Sequence, residues 1–179
     1  MEFVSGRYGS FFEEFSLAGR FLVDTITRWK QSVSRLLSRL HSDRNILCRL
    51  TDSDSPFPVV ELSADAGDRH GGGETVVVLS FGDENVVYKP RSIVPNQSLS
   101  QLFDALINVS SLSLNPTPAG VTRDGYGWVE YVENEPLNSR EQLQTYYDRA
   151  GLFAWMATLL GSTDLHYENL IATTAGPVV

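Results

Sequence analysis

Two apolar runs set back to back impose a β-hairpin on the middle of this chain. Thr75-Val76-Val77-Val78-Leu79-Ser80-Phe81 is rich in β-branched residues, which suit a pleated strand and crowd a helix. Gly82-Asp83-Glu84-Asn85 supplies the turn, and Val86-Val87-Tyr88-Lys89 returns. The near-continuous apolarity of the first run predicts burial on both of its faces. A further strand is expected over 125–132, where Gly125-Tyr126-Gly127-Trp128-Val129-Glu130-Tyr131-Val132 precedes the polar connector Glu133-Asn134-Glu135-Pro136.

Helical periodicity accounts for much of the remainder. Phe11, Phe15, Ala18, Leu22, Ile26, Trp29, Val33, Leu36 or Leu37, and Leu40 recur at helical spacing. They predict one long amphipathic helix, or two with a small break, whose stripe packs into the core. A shorter helix is expected from Ser98 to about Asn108. Ser139-Arg140-Glu141-Gln142 reads as a capping box that starts a helix running to Leu160, apolar nearly all round and therefore buried. Asp52-Ser53-Asp54-Ser55-Pro56-Phe57-Pro58 is a breaker cluster. It divides a helical region, 1–58, from a mixed unit, 59–179, so the fold class is α+β.

Composition narrows the function classes. A net charge of -8 argues against nucleic acid as the main partner. The N-terminus lacks a signal-peptide layout, and no apolar segment approaches the length of a membrane span. A single cysteine can form no intramolecular disulfide, which fits a reducing cytosol. Cys48, the single cysteine, sits among Ile46, Leu47 and Leu50 and reads as a buried small hydrophobe. It offers no zinc-ligand spacing with His41, His70 and His166. Arg20, Arg28, Lys30, Arg35, Arg39, Arg44 and Arg49 gather in the N-terminal third. Two readings fit them: a solvated helix face, or a docking surface for an acidic peptide or neighbouring domain.

Chemistry is suggested at three places. Gly67-Asp68-Arg69-His70-Gly71-Gly72-Gly73 opens the hairpin whose second strand ends at Lys89. Backbone amides of a glycine loop approach phosphates closely, and a lysine on a later strand neutralises them. Lys89-Pro90-Arg91 adds a second cation across a rigid proline, a pair suited to a multiply charged oxyanion. Asp104, the only acid in the 98–108 helix, occupies the element where kinases carry the glutamate that pairs with the strand lysine. Finally, Asp164-Leu165-x-x-x-Asn169 has the spacing of a kinase catalytic loop, and equally that of a helix C-cap followed by an Asx-turn.

Four stretches together resemble the dehydratase domain of class II lanthipeptide synthetases, the LanM family. They are Gly67-Asp68-x-His70-x-x-Gly73, Val87-Tyr88-Lys89-Pro90-Arg91-Ser92, Tyr126-Gly127-Trp128-Val129-Glu130-Tyr131-Val132, and Leu160-Gly161-Ser162-x-Asp164-x-His166-x-Glu168-Asn169-Leu170-Ile171. The resemblance implies a bacterial enzyme with a lipid-kinase-like core. Such an enzyme uses ATP and Mg2+ to phosphorylate Ser and Thr of a ribosomal precursor peptide, then eliminates phosphate to leave dehydroalanine or dehydrobutyrine. By matching position, Lys89 contacts the ATP phosphates, with Arg91 nearby and Asp68, Gly72 and Gly73 in the phosphate loop. Asp164 orients the substrate hydroxyl, His166 belongs to the same loop, Asn169 binds Mg2+, and His70 has a share in elimination.

The resemblance also implies parts beyond Val179: a second metal-binding Asp, the rest of a C-terminal lobe and a zinc cyclase domain. The expectation is therefore an N-terminal fragment of a longer enzyme, inactive alone. Two other readings stay open. One is a degenerate kinase-like module that binds nucleotide or peptide. The other is a phosphotransferase acting on a lipid or small-molecule alcohol.

Overall fold

The computed structural model describes residues 5–51, 58–64, 74–109, 116–162 and 165–179. Helices α1 (Ser5–Glu14), α2 (Ser16–Ser42) and α3 (Arg44–Leu50) precede the strands. Five strands form one antiparallel sheet: β1 (Glu61–Ser63), β2 (Val77–Ser80), β3 (Asn85–Lys89), β4 (Gly120–Arg123) and β5 (Tyr126–Glu130). Their order is β1-β2-β3-β5-β4. Helix α4 (Val94–Val109) connects β3 to β4, and α5 (Arg140–Leu159) leads to a second, two-stranded sheet of β6 (Ile171–Thr173) and β7 (Gly176–Val178). Among the described residues, no helix is long and apolar enough to cross a membrane.

The expected hairpin is β2–β3, with Val78 opposite Val87 and Gly82 turning at φ +96°, a conformation that favours glycine. Burial on both faces is not what the structure has. Val77, Leu79, Val86 and Tyr88 point to one face and are buried, whereas the alternating residues are only partly covered. The sequence reading also missed β1, which is three residues long and exposed, too short to show any alternation. The buried face carries Trp128 as well and meets Leu36 of α2 and Leu47 of α3, with Leu40 and Leu50 packed alongside. Covering a side chain such as Leu79 completely contributes about 2 kcal/mol.

Two helical expectations need correction. The N-terminal periodicity does give helices, broken at Phe15, but only the last turns of its stripe enter the core. Leu36 is 7% exposed, whereas Phe15, Leu22, Ile26 and Trp29 of the same stripe are exposed, Trp29 at 66%. At 27 residues α2 extends about 40 Å, much further than a short-stranded sheet can cover. Helix α5 likewise buries only Phe153, Met156 and Ala157, and leaves Tyr147, Trp155 and Leu159 in solvent. Cys48 is half-buried rather than buried, and its thiol donates to the Arg44 carbonyl at 3.2 Å. The α5 capping box is present: Ser139 Oγ accepts from the Gln142 backbone N–H, and Gln142 Oε1 accepts from the Ser139 backbone N–H. Of the breaker cluster, only Pro58 lies within the described residues.

Asp43 joins the helices to the sheet. It sits between α2 and α3, is 4% exposed, and accepts hydrogen bonds from Tyr126 Oη at 2.6 Å and Trp128 Nε1 at 2.8 Å. Arg123 of β4 pairs with its second oxygen at 3.0 Å. Arg39, one turn earlier, lies over the Tyr126 ring at 4.1 Å and donates to the Tyr88 hydroxyl. Arg39 is thus not part of a merely solvated basic face. Burial alone would raise the Asp43 pKa, but the hydrogen bonds from Tyr126 and Trp128 and the Arg123 charge outweigh it and hold the carboxyl below its usual value. Burial, then the Asp43 hydrogen bond and charge, push Tyr126 up to about 12.

Replacing Asp43 by Ala strands the Arg123 charge and the two donors. The expected loss is about 2–4 kcal/mol in urea unfolding, at the lower end because Arg123 keeps contact with water. The Asp43 contribution is present above the ordinary carboxylate pKa of about 4 and disappears as pH falls through its depressed value. The Tyr126 contribution holds below about pH 10 and disappears as pH rises towards its folded pKa. A pH series of melting temperatures should therefore show a shallower acid limb in Asp43→Asn than in the unsubstituted protein.

Candidate functional site

Lys89 closes β3, and the register places it opposite Gly127 of β5, which in turn faces Thr122 of β4. Tyr88 and Trp128 point to the helix-covered face, so by strand alternation Lys89 and Gly127 point to the other. There Ile93, 2% exposed, lies over Gly127. A Cβ on Gly127 would stand 2.5 Å from Ile93 Cγ1 and 2.9 Å from Cγ2, a collision with the stiff, branched part of the side chain. Glycine at 127 thus lets the segment after Lys89 fold down onto the sheet before α4 begins. Pro95, in the first turn of that helix, lacks an N–H the helix would leave unbonded anyway.

The Lys89 side chain is half-buried, and Arg91 is exposed. Burial and then the Arg91 charge lower the Lys89 pKa. Among the described residues, neither cation makes a hydrogen bond or ion pair. The pairing considered for Lys89 with Asp104 is absent, and Asp104 lies on the exposed side of α4. A partly desolvated ammonium beside a second cation, with no internal counter-ion in the described structure, is suited to an anionic ligand.

The second group of expected residues lies after α5. Gly161 takes φ +63°, Ser162 N–H donates to Ala157 O at 2.9 Å, and Gly161 N–H donates to Thr158 O at 3.2 Å. These bonds form a Schellman cap that ends the helix sharply. The C-cap reading of this stretch is therefore right for Gly161 and Ser162, and the polar residues follow the cap. His166 and Asn169 come together on a 3-10 turn, Tyr167–Asn169. Asn169 N–H donates to His166 O at 2.9 Å, and Asn169 Nδ2 lies 3.2 Å from His166 Nε2. Asp164, Asp68, His70, Gly72 and Gly73 lie outside the described residues.

The hairpin that follows this turn is fastened from three directions. Glu135, in the connector after β5, accepts from Thr174 N–H and Oγ1, both at 2.6 Å, and these bonds lower its pKa. The Glu135 N–H donates to Ala172 O at 2.8 Å. Arg149 of α5 donates to the Ala175 carbonyl, and Val179 N–H donates to Pro116 O at 2.8 Å. Beneath, Leu170 and Val179 pack with Phe103 of α4 and with Phe153 and Met156 of α5. The helix that follows Lys89 and the helix that delivers His166 and Asn169 thus share one apolar core. No hydrogen bond or ion pair joins the two polar groups among the described residues.

Sequence reading missed Ile93 and Glu135. The Gly127 match to Ile93 leaves no linear signal, since the partners are distant in the chain. Glu135 was visible only as one polar residue in a connector. Gly127→Ala is expected to lower stability by about 1–3 kcal/mol through overpacking. Ile93→Ala in the same chain should restore part of that loss, giving a non-additive double-mutant cycle by thermal denaturation.

A family described as "Domain of unknown function (DUF4135)" matches residues 15–179. The lacticin 481/lactococcin biosynthesis protein LcnDR2 of Lactococcus lactis subsp. lactis is 25% identical over 172 residues. That match covers 88% of this chain and 18% of the relative, so the chain spans less than a fifth of the relative's length.

Proposed function

From the premise that the chain belongs to the family described as Domain of unknown function (DUF4135), as a relative of a lantibiotic biosynthesis protein, we propose that it is part of an enzyme that dehydrates Ser and Thr of a ribosomal precursor peptide. The family match and the relative bear out the resemblance to the class II lanthipeptide synthetases. The observation that carries the chemical reading is Lys89, an ammonium partly withdrawn from water beside Arg91 and without an internal anion among the described residues.

The order of elements supports a lipid-kinase-like core. The glycine run falls between β1 and β2, Lys89 ends β3, α4 precedes the β4–β5 hairpin, and the His166–Asn169 turn lies between α5 and β6. Lys89 and Arg91 fit the phosphates of ATP, which would supply the phosphoryl group. Asn169 turns Nδ2 to His166, so Oδ1 is the atom suited to a Mg2+ ion, a hard cation that prefers oxygen. Asp164 orients the Ser or Thr hydroxyl. In the second half-reaction a base removes the α-proton, the Cβ–O bond breaks, and the same two cations stabilise the departing phosphate. His70 is the residue assigned a share in that step. Asp68, Gly72 and Gly73 line the phosphate loop. The proposed setting is cytoplasmic, within a longer polypeptide that has a further lobe and a zinc cyclase domain.

The test uses the full-length polypeptide with ATP, Mg2+ and a Ser/Thr-rich precursor, followed by mass spectrometry. Loss of water is expected. Lys89→Ala and Asp164→Asn should each abolish phosphorylation, and near-normal turnover in either would refute its role. Phosphate that persists on the peptide would refute the elimination half, and nucleotide binding without turnover would mark a binding module instead. Because the Lys89 pKa is lowered, nucleotide affinity should fall as pH rises through that value, ahead of an ordinary lysine.

A further inference from the structure

Strand β4 is an edge of the five-stranded sheet and pairs only with β5 among the described residues. Glu130 N–H donates to Ala119 O at 2.8 Å, so the bonded pairs of the β4–β5 ladder alternate as Ala119, Val121 and Arg123. Gly120 and Thr122 therefore direct their N–H and C=O groups outwards, away from β5. Alongside lies a cleft of about 460 Å3 between β4 and α4. That volume lies within the range of ligand-binding clefts, roughly 300–1,000 Å3.

The lining is chemically selective. Asn96, Gln97, Ser100 and Gln101 form one face of α4 and contribute amides and a hydroxyl. Ile93 and Val129 contribute apolar surface, and among the described residues no charged side chain lines the cleft. Gln97 Nε2 already reaches the outward carbonyl of Gly120, at 3.4 Å. A side-chain amide thus occupies the position that the amide of an added strand would take.

We propose that this cleft binds an extended, uncharged peptide segment, which adds as a strand to β4 and sets alternate side chains between β4 and α4. The outward backbone groups of β4 call for a ligand with a regular series of amides. The side-chain amides of α4 donate and accept, so they satisfy neutral polar side chains such as Ser, Thr and Asn. A charged side chain would lose its water there without gaining a counter-ion. The residues that line the cleft do not include Lys89, Arg91, His166 or Asn169, and the proposal does not depend on the dehydration reading.

The test is fluorescence anisotropy of the full-length protein with labelled ten-residue peptides, acetylated and amidated. One set is rich in Ser, Thr, Asn and Val, and a matched set carries Lys or Asp at a central position. Saturable binding of the neutral set is expected, with affinity at least tenfold weaker for the charged set. Thr122→Pro removes the outward N–H at a position where an edge strand tolerates proline, and should weaken binding at least tenfold. Should that variant fold poorly, the surface pair Asn96→Ala with Gln101→Ala provides the same test and leaves the sheet untouched. Absence of binding, equal affinity for charged peptides, or unchanged affinity in a folded variant would overturn the proposal.

Discussion

The Asp43 carboxylate is the joint on which the sheet and the N-terminal helices depend. Apolar contact alone would let α2 and α3 slide across the buried face, because Leu36, Leu47 and Trp128 contribute area without direction. A carboxylate that receives two neutral donors and a guanidinium admits one placement. Its donors come from two strands, so it also holds the β4–β5 hairpin against the helices. Arg39 extends the joint to β3 through Tyr88, the residue next to Lys89. The position of the Lys89 ammonium is thus coupled, through one strand and one ring, to a buried acid on the opposite face.

Apolar packing has the corresponding part on the other face. Among the described residues no hydrogen bond or ion pair joins Lys89 and Arg91 to the polar turn after α5, and the helices that adjoin the two groups share the cluster around Phe103, Phe153 and Met156. Glu135, Arg149 and Val179 then fix the β6–β7 hairpin to the connector, to α5 and to the loop before β4. This division places the two polar groups beside separate helices over one apolar support. It suits a site whose charges are meant for a ligand.

Legibility in the sequence followed the range of the interaction. The β2–β3 hairpin, the Ser139 capping box and the Gly161 cap were readable because each is settled within a few residues. So was the position of Lys89 at the end of its strand, although Asp164 and the glycine loop lie outside the described residues. The Asp43 joint was not legible. Its partners lie about eighty residues away, and in the chain it was only an acid among arginines. The N-terminal stripe misled for a related reason. Periodicity shows that a helix has an apolar side, but how much of that side is covered depends on how wide the neighbouring sheet is.

The long α2 consequently has two segments with different tolerance for changes in length. An inserted residue turns everything before it by about 100° relative to everything after it. Placed before Trp29, it would rotate an exposed stretch and leave the contacts of Leu36, Leu40 and Asp43 in register. Placed between Leu36 and Asp43, it would carry the carboxylate a quarter-turn and more away from Trp128. Homologous chains should therefore vary freely in helix length on one side of Val33 and hardly at all on the other.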